Sequence, residues 1–233
     1  MTPIRQEAAA QETFAAAYSG DPDVFVPGVV AVSDHVLVSE WLDGIPIARI
    51  IAGGTTAQRN RVGTLISRFL FSGPARVRLL HADPHPGNFR LLAGGRLGVL
   101  DFGAVDRLPD GFPPILGRVL RLMHGGDLAK LEDEFRLHGY LRDGVNLDLE
   151  ALRAFLAPLA EPSRAESFRF SREWLRTQTM QASALRSCSV LRRLNLPPSY
   201  VLIHRVLAAG LGVLCQLECE MPFRAEVLRW IPG

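Results

Sequence analysis

The chain has 233 residues, of which 48% are hydrophobic and 21% are charged, and its formal net charge is +2. This composition excludes a disordered chain, and the length favours one large domain or two small ones. No block of like charges occurs, which argues against a nucleic-acid partner. The odd number of cysteines, three, fits a reducing compartment better than a disulfide framework, so we expect a cytoplasmic protein.

The first part of the chain alternates between helical and extended patterns. Residues 5–18 are rich in alanine, glutamine and glutamate and predict a helix. Two β-branched runs, 24–32 and 35–41, predict an antiparallel strand pair. The apolar spacing in 56–71 predicts an amphipathic helix that stops at Ser72-Gly73-Pro74.

A hairpin and then a series of helices follow the polar loop that begins at His81. Residues 89–92 and 96–100 flank three small residues and predict two strands joined by a tight turn. The helices predicted after Pro114 span 115–124, 127–138, 147–159, 171–194 and 199–220. This order indicates an α+β fold rather than an alternating α/β fold.

The last predicted helix contains the most apolar stretch, 200–217, and two of the cysteines. His204 and Arg205 interrupt that stretch, so we predict a buried helix and not a membrane span. Cys215 and Cys219 lie one helical turn apart. Because no histidine or cysteine pair is spaced to complete four metal ligands, we predict that both thiols are buried apolar groups.

The strongest functional signal is the loop 81–88, which is followed by the tripeptide 101–103, Asp-Phe-Gly, at the predicted end of a strand. In protein kinases the catalytic loop H-R-D-x-x-x-x-N precedes D-F-G, and its aspartate is the base while the asparagine and the second aspartate bind metal. Asp83, Asn88 and Asp101 have the corresponding positions. The pattern therefore predicts phosphoryl transfer with Asp83 as base and magnesium on the other two. The alternative is that both aspartates cap loops and the asparagine is a turn residue.

The loop sequence H-A-D-P-H-P-G-N resembles the signature of the UbiB or aarF-domain group of atypical kinases, which is linked to ubiquinone and other isoprenoid-lipid metabolism. Three further segments are similar to that family: Arg5–Ala8 to its R-E-A on helix C, Val36–Gly44 to its strand and hinge, and Asn195–Pro198 to a late proline turn. The resemblance implies a protein-kinase-like fold that is mostly the helical C-lobe. Residues 1–44 would be the remnant of the N-lobe, with helix C, a strand pair and the hinge, and residues 45–233 would be the C-lobe.

The resemblance also implies ATP and Mg²⁺ as cofactors, and a peripheral association with a lipid or membrane surface. It assigns catalysis to Asp83. The residues that it assigns to cofactor binding are Glu7 on helix C, Glu40, Trp41 and Leu42 in the hinge that meets adenine, and Asn88 and Asp101, which would hold the metal.

The chain departs from the family pattern at its amino-terminal side. A K-x-G-Q segment, an alanine-rich phosphate loop and a strand lysine do not occur, and the only lysine, Lys130, follows Asp101 in the helical part. Residues 1–3, where an E-x-D motif would fall, read Met-Thr-Pro. Three explanations stay open: a natural or mis-started fragment, a first lobe supplied by a separate polypeptide, or a pseudokinase. We also expect self-association through the strand edge that lacks neighbours.

Three other functions also stay open. Aminoglycoside and choline kinases have a similar loop, H-G-D-x-H-x-x-N, but Ala82 in place of glycine favours the UbiB group. His81, Asp83 and His85 could bind a transition metal in a hydrolase, because H-x-D-x-H brings two imidazoles and a carboxylate together. Against this, His81 is predicted to brace the loop through backbone hydrogen bonds. A non-catalytic scaffold would account for the absent lysine.

Overall fold

The structure, a computed structural model, describes residues 2–142, 144–186 and 193–233. Its helices are α1 (Pro3–Ala17), α2 (Ile47–Gly53), α3 (Thr56–Val77), α4 (Ile115–Gly125), α5 (Leu128–Leu137), α6 (Leu149–Ala160), α7 (Arg172–Arg186), α8 (Val201–Leu217) and α9 (Phe223–Trp230). Its strands are β1 (Val24–Phe25), β2 (Val29–Val32), β3 (Leu37–Ser39), β4 (Ile45–Pro46), β5 (Leu79–His81), β6 (Phe89–Leu91), β7 (Leu97–Val99), β8 (Val105–Arg107), β9 (Phe168–Arg169) and β10 (Glu220–Met221). Helices with small sheets confirm the predicted α+β class.

The first predicted strand, 24–32, is wrong as a single element. Residues 24 and 25 form β1, which pairs parallel with β7, whereas β2 pairs antiparallel with β3. Pro27 separates the two strands because proline has no N–H group to continue a ladder. The split has a structural consequence: β1 joins the four-stranded sheet β1-β7-β6-β4, so the amino-terminal part is tied to the predicted hairpin β6–β7.

Helix α3 is longer than predicted and lies at the centre of the fold. Thr55 and Gln58 form a capping box at its start, and the helix continues through Pro74 to residue 77. A proline so close to the end removes one helical hydrogen bond, and burial of Gly73 and Pro74 in the core outweighs that loss. The helix packs against α1, α8, α9, β5 and β10. It therefore supports both the strand junction at β5–β8 and the last helices.

An aromatic cluster fills the space between α1, α3 and the strands β5–β7. The ring of Phe14 lies 5.6 Å from that of Phe69 and 5.0 Å from that of Phe102, measured between centroids. These rings and Phe89 are fully buried. Large rings buried in contact contribute strongly to packing energy, so the loops beside them rest on a rigid base.

Ion pairs join α3 to distant parts of the chain. The guanidinium group of Arg68 bonds both Asp23, just before β1, and Glu226 on α9. Its Nε–H also donates to Glu226 Oε1 at 3.1 Å. Glu226 is almost completely buried. Because a buried carboxylate is costly without a partner, this arginine fixes α9 against the amino-terminal part of the molecule.

The described part of the chain after β8 is mostly helical, as predicted, although the short strand β9 precedes α7 and the last segment differs. Helices α4, α5 and α6 pack on one another around a second apolar cluster, and α7 follows; residues 187–192 of the predicted helix 171–194 lie outside the described residues. The predicted helix 199–220 ends early, because Glu218 adopts a left-handed conformation, and β10 and α9 follow it.

The two cysteines of this segment are buried, as predicted. Burial raises the pKa of the Cys215 thiol to about 11 and that of the Cys219 thiol to about 12. Among the described residues, no helix combines the length and the hydropathy needed to cross a bilayer.

Candidate functional site

Two short antiparallel ladders bring the loop 82–88 and the turn 100–104 together. In one ladder β5 pairs with β8, with His81 opposite Val105, and in the other β6 pairs with β7, with Phe89 opposite Val99. The loop connects β5 to β6 and the turn connects β7 to β8, so both lie at the same end of the ladders.

Two backbone hydrogen bonds extend these ladders into the loop and the turn. The N–H of Ala82 donates to Ala104 O, and the N–H of Leu100 donates to Asn88 O, each at 2.9 Å. The residues at 83, 88 and 101 thus project from one strand junction.

Within the loop, Asn88 holds Asp83. The Asn88 side chain donates from Nδ2 to Asp83 Oδ2 at 2.9 Å and to Asp83 O at 3.0 Å. Pro86 starts a short 3-10 turn that ends at Asn88 and brings the asparagine back toward the aspartate. Both hydrogen bonds of the amide are made through Nδ2, so Asn88 Oδ1 has no partner in the described part of the chain and is free to coordinate a cation.

In the turn, Asp101 is held by the backbone. The N–H of Gly103 donates to Asp101 Oδ1 at 2.8 Å, while Oδ2 has no partner among the described residues. The carboxylate is exposed. A Cβ atom at position 103 would lie 3.3 Å from Asp101 Oδ1 and 3.5 Å from Glu7 Oε2, so glycine leaves room for two acidic groups there.

Those two acidic groups are in electrostatic contact. Burial raises the pKa of Glu7, the charge of Asp101 raises it further, and a hydrogen bond from the backbone N–H of Phe102 opposes the shift. Within the ranges that the structure describes, no lysine or arginine forms a salt bridge with Glu7. Helix α1 therefore places a second carboxylate beside the one predicted to bind metal.

The imidazole of His81 connects the loop and the turn. Its Nε2 atom lies 2.6 Å from Asp101 O, and the ring packs edge-on against Phe69 and Phe102. Burial lowers the pKa of His81, so the ring is neutral and donates from Nε2. This hydrogen bond to the backbone confirms the predicted bracing role.

The transition-metal interpretation is wrong. His81 Nε2 is engaged with a backbone carbonyl, and His85 Nδ1 accepts a hydrogen bond from the N–H of Gly87 at 3.0 Å. In the part of the chain that the structure describes, no three histidine, cysteine or acidic side chains are grouped to hold a metal ion. The two imidazoles thus serve the shape of the loop.

The predicted hinge lies against the hairpin that carries Asn88 and Asp101. A Cβ atom at Gly98 on β7 would be 2.5 Å from Leu42 Cδ2, so glycine at that position admits the buried leucine. Glycine inside a predicted strand is a signal for such close approach, and sequence reasoning missed it here.

The other two hinge residues differ in their surroundings. The N–H of Glu40 donates to Gly28 O, and its carboxylate accepts from the N–H of Gly28, both at 2.9 Å, so this side chain closes the pair β2–β3. Trp41 is 88% exposed. Neither Trp41 nor Leu42 forms a backbone hydrogen bond with the described residues, so their N–H and C=O groups have no partner in that part of the chain.

The arrangement as a whole offers hard oxygen atoms to a cation. Asn88 Oδ1 and one oxygen of Asp101 are unengaged, and magnesium is commonly held by one or two protein oxygens together with substrate phosphates. The donor set therefore fits Mg²⁺. The carboxylate of Asp83, which Asn88 already orients, is suited to act as a general base.

Comparisons with known proteins identify the family of this chain. A family model, the ABC1 atypical kinase-like domain, matches residues 3–133. ACTIVITY OF BC1 COMPLEX KINASE 3 of Arabidopsis thaliana, a chloroplastic protein by its name, is 28% identical over 216 residues, which are 89% of this chain and 29% of that protein. An uncharacterized protein of Synechocystis is 36% identical over 111 residues, 44% of this chain and 16% of the relative. The chain thus spans less than a third of the length of these relatives.

A solved structure is similar over nearly the entire chain. It is the complex of Rv3197 with erythromycin from Mycobacterium tuberculosis, with a TM-score of 0.90 and 37% sequence identity; the match covers 98% of this chain and 57% of that one. The aligned family domain, the strand junction and this fold together lead to one conclusion: the chain belongs to the ABC1 atypical kinase-like family.

Proposed function

We propose that this chain binds ATP with Mg²⁺ and takes part in phosphoryl transfer or ATP hydrolysis. The observation that carries the proposal is the pairing of Asn88 with Asp83, which orients a base and leaves the Asn88 amide oxygen free, in a loop joined by the Leu100 N–H to Asn88 O hydrogen bond to the turn that carries Asp101. Phosphoryl transfer requires this combination of a positioned nucleophile and oxygen ligands for the cation.

Each residue has a separate task under this proposal. Asn88 and Asp101 hold the magnesium ion, which neutralises charge on the phosphates. Asp83 accepts the proton of the attacking hydroxyl or water. His81 fixes the backbone of Asp101, and the position of the metal-binding carboxylate depends on it. The free backbone groups of Trp41 and Leu42 bind the adenine edge.

Calorimetry with ATP, in the presence and absence of Mg²⁺, tests the proposal. The wild-type chain should bind ATP more tightly with magnesium, and Asp101→Asn should remove that difference. Asp133→Asn is a matched control, because Asp133 is exposed on α5 and has no ion pair in the described residues. ATP binding that ignores magnesium in the wild-type chain would contradict the proposal.

Three finer assignments depend on the fate of the bound nucleotide. Binding without turnover that Asp83→Asn leaves unchanged would identify a non-catalytic scaffold. Turnover with an aminoglycoside or choline as acceptor would identify a small-molecule kinase.

We propose instead that the chain belongs to the isoprenoid-lipid branch and acts at a membrane surface, because its loop resembles the UbiB signature. Co-sedimentation with vesicles and a screen of prenylated acceptors would test this.

A second candidate function comes from the similarity to the Rv3197–erythromycin complex. We propose macrolide binding as an alternative ligand function of this fold, because 98% of the chain aligns with that protein at 37% identity. Equilibrium dialysis with erythromycin should show saturable binding. Competition by ATP would place both ligands at one site, whereas unsaturable uptake would exclude the candidate.

A further inference from the structure

A cavity of about 590 Å³ lies between α1 and the ladder β5–β8, and none of its lining residues is among those proposed to bind ATP or magnesium. Pockets for small molecules commonly measure about 300–1,000 Å³. Its wall on α1 is formed by Gln6 and by the shorter side chains of Ala9, Ala10 and Thr13, and its floor includes Leu79 and Val105. Short side chains facing a ladder leave space that the protein itself does not fill.

Two arginines stand at this cavity. Arg78 directly follows α3, and its carbonyl oxygen accepts the N–H of Leu108 at 2.9 Å, next to the pair formed by Leu79 and Arg107. Arg78, immediately before β5, and Arg107, on β8, therefore lie close together along the ladder, and both residues line the cavity. Arg78 has a left-handed backbone, with φ of 59°, although it is not a glycine. This conformation ends α3, because helices commonly close with a left-handed residue at their C-terminus.

Neither arginine has a partner of its own. Both are exposed, and no carboxylate or carbonyl oxygen among the described residues accepts a hydrogen bond from their side chains. The contrast with Arg76, two residues earlier, is clear: it bonds Asp21 at 2.6 Å and the carbonyl of Ala17 at 2.8 Å. The cavity thus combines two arginines that have no ion-pair partner among the described residues with an apolar floor.

We propose that this cavity binds a small, soluble, amphiphilic anion: a phosphate monoester or similar group at Arg78 and Arg107, with a short hydrocarbon chain against Leu79 and Val105. Two guanidinium groups match the oxygen atoms of phosphate in charge and geometry. The apolar floor gains free energy from each methylene that leaves water. The assignment does not depend on the ATP site, and it can be tested without nucleotide.

A ligand here would touch the elements that build the strand junction. Strand β5 ends at His81, β8 follows the turn that contains Asp101, and α1 carries Glu7. The cavity therefore offers a second point at which a bound molecule contacts those same three elements.

The first experiment titrates the complete chain with alkyl phosphates by calorimetry. Affinity should rise about threefold to fourfold for each methylene from ethyl through butyl to hexyl phosphate, since a buried methylene contributes about 0.8 kcal/mol. Inorganic phosphate and hexanol, which each supply half of the ligand, should bind at least about tenfold more weakly than hexyl phosphate. Affinity that does not change with chain length would overturn the proposal.

The second experiment tests the lining. The double variant Arg78→Gln with Arg107→Gln should weaken hexyl phosphate binding by at least about tenfold. Arg205→Gln, at an exposed arginine outside the cavity, should leave it unchanged and controls for the general loss of charge. Unchanged affinity in the double variant would overturn the assignment of the anion site.

A filling variant provides an independent check on the interior. Ala9→Phe should block binding, whereas Ala16→Phe, at an exposed position on the same helix outside the lining, should not. Circular dichroism would verify that each variant is folded. Binding to phosphatidic acid vesicles that needs both arginines, without any binding of soluble hexyl phosphate, would overturn the soluble ligand in favour of a membrane surface.

Discussion

The loop 82–88 and the turn 101–103 each present one aspartate, but they hold it by different means. Asp83 is half-buried and receives a side-chain hydrogen bond from Asn88. Asp101 is exposed, receives a backbone hydrogen bond from Gly103 and has the acidic Glu7 beside it. The first carboxylate is oriented before any ligand arrives. The second lies in a local excess of negative charge that a cation would relieve.

His81 is the contact that joins the two regions, and its loss should have the largest effect. His81→Ala removes a buried ring from an aromatic cluster and leaves Asp101 O without its donor, so we expect the free energy of unfolding to fall by about 2–4 kcal/mol. Urea denaturation measures this. His85→Ala is the control: it loses one exposed hydrogen bond and should cost less than about 1 kcal/mol. Equal losses would mean that the two regions are not joined through His81.

Substitution of Asp101 and substitution of Asp83 should have different effects on nucleotide binding. If the proposed function is correct, Asp101→Asn weakens magnesium-dependent ATP affinity by about tenfold or more, because a metal ligand acts in the bound ground state. Asp83→Asn should change affinity by less than about threefold and should mainly lower the turnover rate, because a base acts in the transition state. Calorimetry and single-turnover kinetics distinguish the two. Equal losses of affinity would contradict the separate roles.

A smaller effect is expected at Gly98, the glycine against which Leu42 of the predicted hinge packs. Gly98→Ala places a Cβ atom against the side chain of Leu42, and overpacking of this kind typically costs about 1–3 kcal/mol, less where a flexible side chain can move. We expect a loss near about 1 kcal/mol in thermal unfolding, together with weaker ATP binding. Gly53→Ala is the control, since a Cβ atom there meets no neighbour. A larger loss in Gly53→Ala would refute the role of position 98.

The smallest predicted effect concerns Glu7 and has a defined sign. Its pKa is raised by burial and by Asp101, so the native chain binds a proton above pH 4.5 that the unfolded chain has already lost. Stability from this group is present at low pH and is lost as pH rises through the folded-state pKa. Glu7→Gln keeps the acceptor for the Phe102 N–H and should raise stability at pH 7 by less than about 0.5 kcal/mol, since solvent screens the repulsion.

The pH dependence of thermal unfolding tests this prediction. Glu12→Gln, at an exposed position on the same helix, controls for the loss of one negative charge on α1. A Glu7→Gln variant that is less stable than wild type at pH 7 would show that the carboxylate has a favourable charged partner.

The residues of the loop and the turn could be predicted from sequence because their chemistry lies in residue types at fixed spacing. The scaffold beneath them could not. Strands β5 and β8 have three residues each, and β5 follows α3 without a glycine, since Arg78 itself supplies the left-handed turn. Elements this short show no periodicity, so the ladder that aligns the loop and the turn cannot be recognised in the sequence.

Pro27 and Pro74 show that the local signal of a proline can be overridden or can go unrecognised in a sequence-based prediction. Pro27 interrupts a β-branched run and divides it between two sheets, although the run of valines around it favours one continuous strand. Pro74 predicts a helix end, yet α3 continues because its last turn is buried against the core. Local sequence preference determines the secondary structure only where long-range packing does not override it. Helix α3 is a case of such an override, because it packs against α1, α8, α9, β5 and β10.

The position of α3 also determines when this molecule can finish folding. Arg68 binds Glu226 across 158 residues, and Asn60 accepts the N–H of Glu220 across 160. At a synthesis rate of about 5–20 residues per second, α3 leaves the ribosome about 8–30 s before its partners exist. During that time all residues of the strand junction have been synthesised, but the side of α3 that packs against α8 and α9 stays uncovered. Such distant contacts slow folding and prolong exposure to aggregation, so the nascent chain should depend on chaperones.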